Sequence, residues 1–128
     1  MKNSKVEICF IGNAIVDILS KISNETLYKL EIPKGSMQLV DEISADKILK
    51  YVQNPVITSG GSAANTAVGF KSFGGNCSFI GQIGKDKFGN LFSKDLNHSG
   101  VFFQEKYFSL SEKTSKSIVL ITPDAERS

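Results

Sequence analysis

At 128 residues, with 41% hydrophobic content, the chain can bury one real core, but it is too short for two ordinary domains and too apolar to be disordered. Its 15 Lys+Arg and 13 Asp+Glu leave a net charge of +2, with the basic residues scattered singly among acidic ones, so a nucleic-acid footprint is not expected. The longest apolar run, Ile118-Val119-Leu120-Ile121, falls far short of the ~20 residues a membrane span needs. Met1-Lys2-Asn3-Ser4-Lys5 leads into a strand pattern with no apolar signal core, and a cytoplasmic location is expected. Cys9 and Cys77 stand far apart in apolar strand-like contexts with no His or Cys at metal-ligand spacing. They read as buried thiols of a reducing compartment, and no metal site is expected.

Val6 to Ile11 is a β-branched and aromatic run closed by Gly12-Asn13, which predicts a first buried strand ending in a turn. Ile15 to Ile22 predicts a second strand. Asn24 to Leu30 predicts a short helix behind the capping candidate Ser23, and Pro33-Lys34-Gly35-Ser36 breaks the chain after it. A second helix is predicted to open at Ser44, with Ile48, Leu49 and Val52 at helical spacing. Val56 to Ser59 is strand-like and enters Gly60-Gly61. From Ser62 to Phe73 the residues Ala63, Ala67 and Phe70, with Ala64 and Val68, make one helical stripe that Gly74-Gly75 ends. Cys77 to Ile83 predicts a strand, and Asp86 to Ser99 a helix with Phe88, Leu91, Phe92 and Leu96 on one face, stopped at Gly100. Val101 to Phe108 and Ser117 to Thr122 predict two further strands.

Alternating strands and helices of these lengths point to an α/β fold with a mostly parallel sheet. Neither an internal repeat nor a low-complexity linker interrupts the chain, which reads as one continuous unit. At its end, Pro123-Asp124-Ala125-Glu126 is a turn signature that normally reverses a chain into a partner strand. Only Arg127 and Ser128 follow, so the return strand is expected to be absent and the chain reads as cut.

The common phosphate-binding patterns fail. Gly69-Phe70-Lys71-Ser72 puts a phenylalanine between glycine and lysine, and no Gly-x-Gly-x-x-Gly follows the first strand. The strongest local feature is Ser59-Gly60-Gly61-Ser62-Ala63-Ala64-Asn65, where a strand becomes a helix. Two glycines let backbone approach a ligand, a helix start offers N–H groups, and the Asn65 carboxamide lies one turn along with both a donor and an acceptor for a vicinal diol. On spacing alone, a tight turn beside a solvated asparagine accounts for the same residues. Asp17 is a lone carboxylate between Val16 and Ile18, a charge in an apolar run that sugar hydroxyls could pair, or simply an outward-facing strand residue. His98, the single histidine, reads as a helix-end surface residue.

Taken together, Gly12-Asn13-Ala14-Ile15-Val16-Asp17, the run ending at Asn65, and Phe79-Ile80-Gly81-Gln82-Ile83-Gly84-Lys85-Asp86-Lys87-Phe88-Gly89 resemble, in order and spacing, the amino-terminal signature of the PfkB family of carbohydrate and nucleoside kinases, also called ribokinase-like. Within it the chain is most similar to the adenosine-kinase-like branch, on Lys34-Gly35-Ser36-Met37-Gln38-Leu39-Val40-Asp41, Thr114 and Thr122-Pro123-Asp124-Ala125-Glu126-Arg127. The resemblance implies a ribokinase-like sheet with flanking helices and a small β lid, with lid strands near residues 15–22 and 101–122. It covers the amino-terminal portion of such a kinase only.

The activity so implied is ATP- and Mg²⁺-dependent phosphorylation of the ribose 5′-hydroxyl of adenosine or a related sugar. A ribokinase or other sugar kinase is the alternative within the family, and a non-catalytic binding or dimerisation module the alternative outside it. By the same resemblance Asn13 and Asp17 bind ribose hydroxyls, Gly60, Gly61 and Ser62 line the sugar, and Asn65 holds the diol. Met37, Leu39 and Ser117 border the base or aglycone, and Arg127 falls near the transferred phosphate.

Two departures stand out. Thr114-Ser115-Lys116 replaces the Thr-Gly that the family often has before the strand near residue 117, and the Gly-Ala-Gly-Asp run that supplies base and anion hole does not occur. Gly84-Lys85-Asp86 is not an equivalent of that run. The base and most of the ATP site are therefore expected beyond Ser128, and the 128-residue chain is expected to show no turnover. The expected partner is a small sugar or nucleoside, with self-association through the lid or an exposed sheet edge.

Overall fold

The computed structural model describes residues 5–104 and 108–128, with Phe108 described by its backbone. In chain order the elements are β1 (Ile8–Ile11), β2 (Ile15–Lys21), α1 (Asn24–Lys29), α2 (Glu42–Leu49), β3 (Val56–Gly60), α3 (Ser62–Ser72), β4 (Cys77–Ile80), β5 (Ile83–Gly84), α4 (Lys87–His98), β6 (Phe108–Ser109) and β7 (Ser115–Ile121). Among the described residues no helix is long and apolar enough to cross a membrane. The internal contacts group the chain into two compact units, Met1–Val16 with Thr58–Lys116 and Asp17–Ile57 with Ser117–Ser128.

In the first unit, β1 and β4 pair in parallel from Ile8 opposite Cys77 to Ile11 opposite Ile80, and α3 packs on both. β5 and β6 also pair in parallel. These pairings bear out the expected α/β fold with parallel strands. The core is aromatic: Phe79, Phe92 and Phe103 are each at most 3% exposed, with ring centroids 5.6–5.9 Å apart. The apolar stripe read on α4 supplies Phe92 and Leu96 to it, and Asp86 caps the helix. Tilted aromatic pairs of this kind add to the burial term.

Two expected strands are cut short here. Cys77–Ile83 divides at Gly81 into β4 and β5, because the position a Cβ would take at Gly81 lies 2.7 Å from the Gly12 carbonyl oxygen and the backbones touch there. Val101–Phe108 is not one strand. Phe102 makes a single parallel bridge to Ser78, residues 105–107 lie outside the described residues, and Phe108–Ser109 joins β5. The reason is that Phe103 turns into the aromatic core while the Asn97 carboxamide bonds its backbone, Nδ2 to Phe103 O at 3.2 Å and Phe103 N to Oδ1 at 3.4 Å. A side chain thus replaces the ladder. Cys77 is buried as expected, but Cys9 is exposed on β1, correcting the reading of both thiols as buried.

In the second unit a small aliphatic core of Ile22, Leu27 and Leu120 gathers Leu30, Ile32, Ile48, Val52 and Ile118. The three-stranded sheet has the order β3-β2-β7. Ser23 caps α1 as predicted, accepting from Thr26 N at 3.1 Å. The cap of α2 is Asp41 rather than Ser44, since Asp41 Oδ1 accepts from Ser44 N at 2.7 Å and draws the helix start back to Glu42. The terminal turn does begin a return, contrary to the expectation that none would form. Arg127 bridges Ile121 antiparallel, and Leu120 and Ser128 exchange N–H to O bonds of 2.8 and 3.0 Å.

Candidate functional site

β1 and β4 run the same way, so both finish at one end of their sheet, where Gly12-Asn13 and Gly81 follow them. In parallel α/β sheets this end carries the ligand crevices. β3 finishes at Gly60 and α3 starts at Ser62, with Gly61 between them at φ +95°. That conformation strains any residue with a Cβ, and a Cβ there would stand 2.6 Å from the Asn13 carbonyl oxygen. A Cβ on Gly12 would likewise meet the Ala63 methyl at 2.7 Å. The Gly12-Asn13 turn, the Gly60–Asn65 run and Gly81 therefore come together, held by backbone packed on backbone.

Gly61 is the N-cap of α3, and among the described residues no side-chain cap bond is made to that helix start. Such a helix start suits an oxygen-bearing ligand. Asn65 N donates to Gly61 O at 2.9 Å, which sets Asn65 one turn along as its spacing predicts, and Asn13, Ser62 and Asn65 are all exposed. Gly60 is buried and Gly61 half-buried. The arrangement offers carboxamides, a hydroxyl and helix N–H groups to a polyhydroxylated ligand.

The Gly81–Gly89 segment works inside the protein. Asp86 Oδ1 accepts from Phe88 N at 3.0 Å and Gly89 N at 2.8 Å, and from Thr114 Oγ1 at 2.9 Å, while Oδ2 accepts from Thr114 N at 2.8 Å. Gly84 N donates to Thr114 Oγ1 at 2.9 Å. Burial pushes the Asp86 carboxyl up, but the N–H groups of Thr114 and Gly89, the Thr114 hydroxyl and the Phe88 N–H outweigh it and hold the acid below its ordinary range. Asp86 is thus committed to its own fold. Nothing in the sequence pattern pairs it with Thr114, which is 28 residues away.

In the second unit, Asp17 is half-buried on β2, next in the chain to the buried Val16 and Ile18. Ser117 is half-buried on β7. Met37 and Leu39 are 83% and 96% exposed on the segment before α2, and Arg127 is exposed on the terminal turn. Sequence reasoning missed Lys34 and Asp124, which form an ion pair between the two turns of this unit. Their only sequence signal is a lysine and an aspartate each next to a turn proline.

His98 closes α4 as an exposed residue, as expected, beside an open hollow of ≈ 490 Å³ lined by Asn90, Ser93, Lys94 and Asn97. Asn97 there is engaged with Ser93 O and Phe103 O. Among the described residues no three of His, Cys, Asp and Glu gather where they could hold one metal ion.

Residues 35–128 match the family described as pfkB family carbohydrate kinase. The chain belongs to that family. Among solved structures it is similar to the adenosine kinase of Sinorhizobium meliloti, with a TM-score of 0.80 and 36% identity over 96% of this chain and 38% of that one. Its ribokinase-like α/β fold follows from that match. Among curated proteins it is 31% identical over 91 residues to probable fructokinase-6, chloroplastic, of Arabidopsis thaliana, covering 70% of this chain and 24% of that protein. It is 37% identical over 68 residues to the fructokinase of Salmonella typhimurium, covering 53% of this chain and 22% of that protein. The matched PfkB segment is thus about a quarter of those curated relatives.

Proposed function

We propose that this chain is the acceptor-binding portion of an ATP-dependent sugar or nucleoside kinase, with the 5′-hydroxyl of adenosine as the favoured acceptor. The observation that carries the reading is Gly61, whose positive φ and contact with the Asn13 carbonyl bring the Asn13 turn, the start of α3 and Asn65 to the carboxyl ends of β1 and β4. Membership of the family and the 36% identity to an adenosine kinase support it.

In this reading Asn13 and Asn65 hold ribose hydroxyls, while Gly60, Gly61 and Ser62 shape the wall against the sugar. Asp17, Met37, Leu39 and Ser117 are assigned to the acceptor, and Arg127 to the transferred phosphate, on the sequence resemblance. The lid is assigned, on the same resemblance, to the segments near residues 15–22 and 101–122. The chain's own contribution is orientation: an acceptor hydroxyl held still in a shielded place reacts faster because the entropy of alignment is already spent. ATP with Mg²⁺ would supply the phosphoryl group. That chemistry is assigned, on the sequence resemblance, to the portion of such a kinase that these residues do not cover.

Isothermal titration of the 128-residue chain with adenosine, ribose and fructose tests the reading. Adenosine is expected to bind most tightly, and Asn65→Ala to weaken it by about 3- to 10-fold, the worth of one or two neutral hydrogen bonds. Silence with all three ligands would leave the non-catalytic module standing. Fructose binding ahead of adenosine would favour the second reading, a fructose-accepting kinase, which the names of the curated relatives support. ATP-dependent phosphorylation by this chain alone would overturn the division of labour. The proposal includes self-association at the open edge of β1, where Ile8 and Ile11 are exposed, and sedimentation of a strict monomer at high concentration would remove that part.

A further inference from the structure

The glycine pair that leads into α3 is held from two sides. On its exit side the helix fixes it, since Asn65 N donates to Gly61 O at 2.9 Å. On its entry side the last residue before the pair is Ser59, whose backbone N–H donates to Asp95 Oδ2 at 3.2 Å, across 36 positions of sequence. Both residues are half-buried, and both belong to the first unit. The bond sets a carboxylate on a backbone N–H, the charge-assisted kind, and among the described residues no cationic side chain pairs with Asp95.

Asp95 is carried on a helix with little freedom of its own. Phe92, one turn before it, and Leu96, next to it, are 0% and 1% exposed in the core of the first unit. The start of α4 is locked by Asp86, which accepts from Phe88 N and Gly89 N. The glycine pair is the opposite case. Gly60 and Gly61 have no side chain by which packing can fix their dihedral angles, so their course depends on the residues that enter and leave them. Gly61 has no room to drift, because its Cβ direction points 2.6 Å from the Asn13 carbonyl oxygen. A shift of Ser59 is therefore passed straight to the backbone that faces the Asn13 turn.

We propose that Asp95 is a positioning residue for the acceptor: by holding the Ser59 N–H it sets Gly60, Gly61 and Ser62 against the Asn13 turn, and so shapes the wall that meets the hydroxyl-bearing part of a sugar or nucleoside. This rests on the acceptor-binding reading given under Proposed function and adds to it a residue that acts through the backbone. Its carboxylate is spent on Ser59. The requirement is for an acceptor atom at that place, which the oxygen of an asparagine also supplies and an apolar side chain does not.

The test uses the ¹⁵N-labelled 128-residue chain and its Asp95→Leu, Asp95→Ala and Asp95→Asn variants. Leucine and asparagine share the branching of aspartate at Cγ, and of the two only asparagine accepts a hydrogen bond. Alanine, the best helix former, keeps the test open should the leucine variant fail to fold. Amide hydrogen exchange is measured at Ser59, and adenosine, ribose and fructose are titrated into each chain. In Asp95→Leu and Asp95→Ala, Ser59 exchange is expected to quicken and the acceptor that the parent binds most tightly to weaken by about 3- to 10-fold, the worth of one hydrogen bond. Asp95→Asn is expected to restore both. Unchanged Ser59 exchange in the leucine and alanine variants overturns the proposal whatever the ligands do. Faster exchange with unchanged affinity reduces the bond to a structural contact and overturns it too. An asparagine variant as weak as the leucine one shows the charge on α4 at work rather than the bond to Ser59, with the same result. If the parent chain binds none of the three ligands while Ser59 still responds to Asp95→Leu, the acceptor-binding reading itself has failed, and the inference falls with it.

Discussion

In the first unit, Asn13, Gly61 and Gly81 are fixed where backbone touches backbone, beside a core of interlocked aromatic rings. In the second, two turns are tied by the exposed side chains of Lys34 and Asp124, beside a small aliphatic core. Close-packed backbone has no low-energy alternative arrangement, whereas exposed hydrogen bonds and ion pairs open at small expense. The residues assigned to the sugar are therefore built into a rigid frame. The two tied turns can part without unfolding anything.

The contrast is broken hardest in the aromatic core. Phe79→Ala is expected to cost about 3–5 kcal/mol, because a ring packed against Phe92 and Phe103 leaves a cavity that its stiff neighbours cannot fill. Urea unfolding followed by circular dichroism reads this directly, and a loss below about 1 kcal/mol, the scale of an unremarkable substitution, would show the core is loosely packed.

Gly61→Ala comes next. Strain at φ +95° alone costs about 1–3 kcal/mol, and the Asn13 carbonyl must also move. Lower thermal stability together with lost adenosine binding is expected. Retained binding would separate that glycine from the ligand site.

Thr114→Val, which keeps the shape but removes the hydroxyl, is expected to cost about 1–3 kcal/mol by leaving Gly84 N and Asp86 short of a partner. It also has a pH signature. The folded acid lies below its ordinary value, so Asp86 contributes stability that is present above about pH 4 and is lost as pH falls through the folded value. Removing one donor should raise that folded value, and acid unfolding of Thr114→Val should begin at higher pH than in the parent chain.

The smallest effect belongs to the tie between Lys34 and Asp124. The hydrogen bond from Lys34, aided by the Thr122 hydroxyl, holds the Asp124 carboxyl down at about 2. The tie is accordingly intact above about pH 4 and is released as pH falls toward 2. Mobility of the turn at residues 33–36, read by backbone heteronuclear NOEs, should rise over that interval in the parent chain, stay high and flat in Lys34→Met, and rise with added salt at neutral pH. No change in melting temperature is expected from Lys34→Met. A large one would make the second unit as stiffly built as the first.

Much of the fold was legible because local chemistry and tertiary packing agree. Ser23 before Asn24, Asp86 before Lys87 and the glycines after α3 and α4 punctuate the helices where the sequence says. Of the stripe read on α4, Phe92 and Leu96 face the core, while Phe88 is half-buried. Disagreement came where a distant partner outbid the local pattern: Phe103 left a strand for an aromatic cluster, and Gly81 broke another against Gly12. Cys9 looked buried because its neighbours are apolar, yet β1 pairs on one edge only among the described residues and leaves it exposed.

The sequence by itself determined the alternation of strands with helices, the glycine pair at the start of α3 and the family to which the chain belongs, since each is written in contiguous residues or fixed spacings. Only the tertiary structure decided that Gly61 lies against the Asn13 carbonyl, that Asp86 is spent on Thr114, and that Lys34 pairs with Asp124. Each of those contacts joins residues 28 to 90 positions apart, and no local propensity encodes such a meeting. Hydrophobic burial brings the segments together first, and the specific polar contacts are then selected by what the packed backbone leaves within reach.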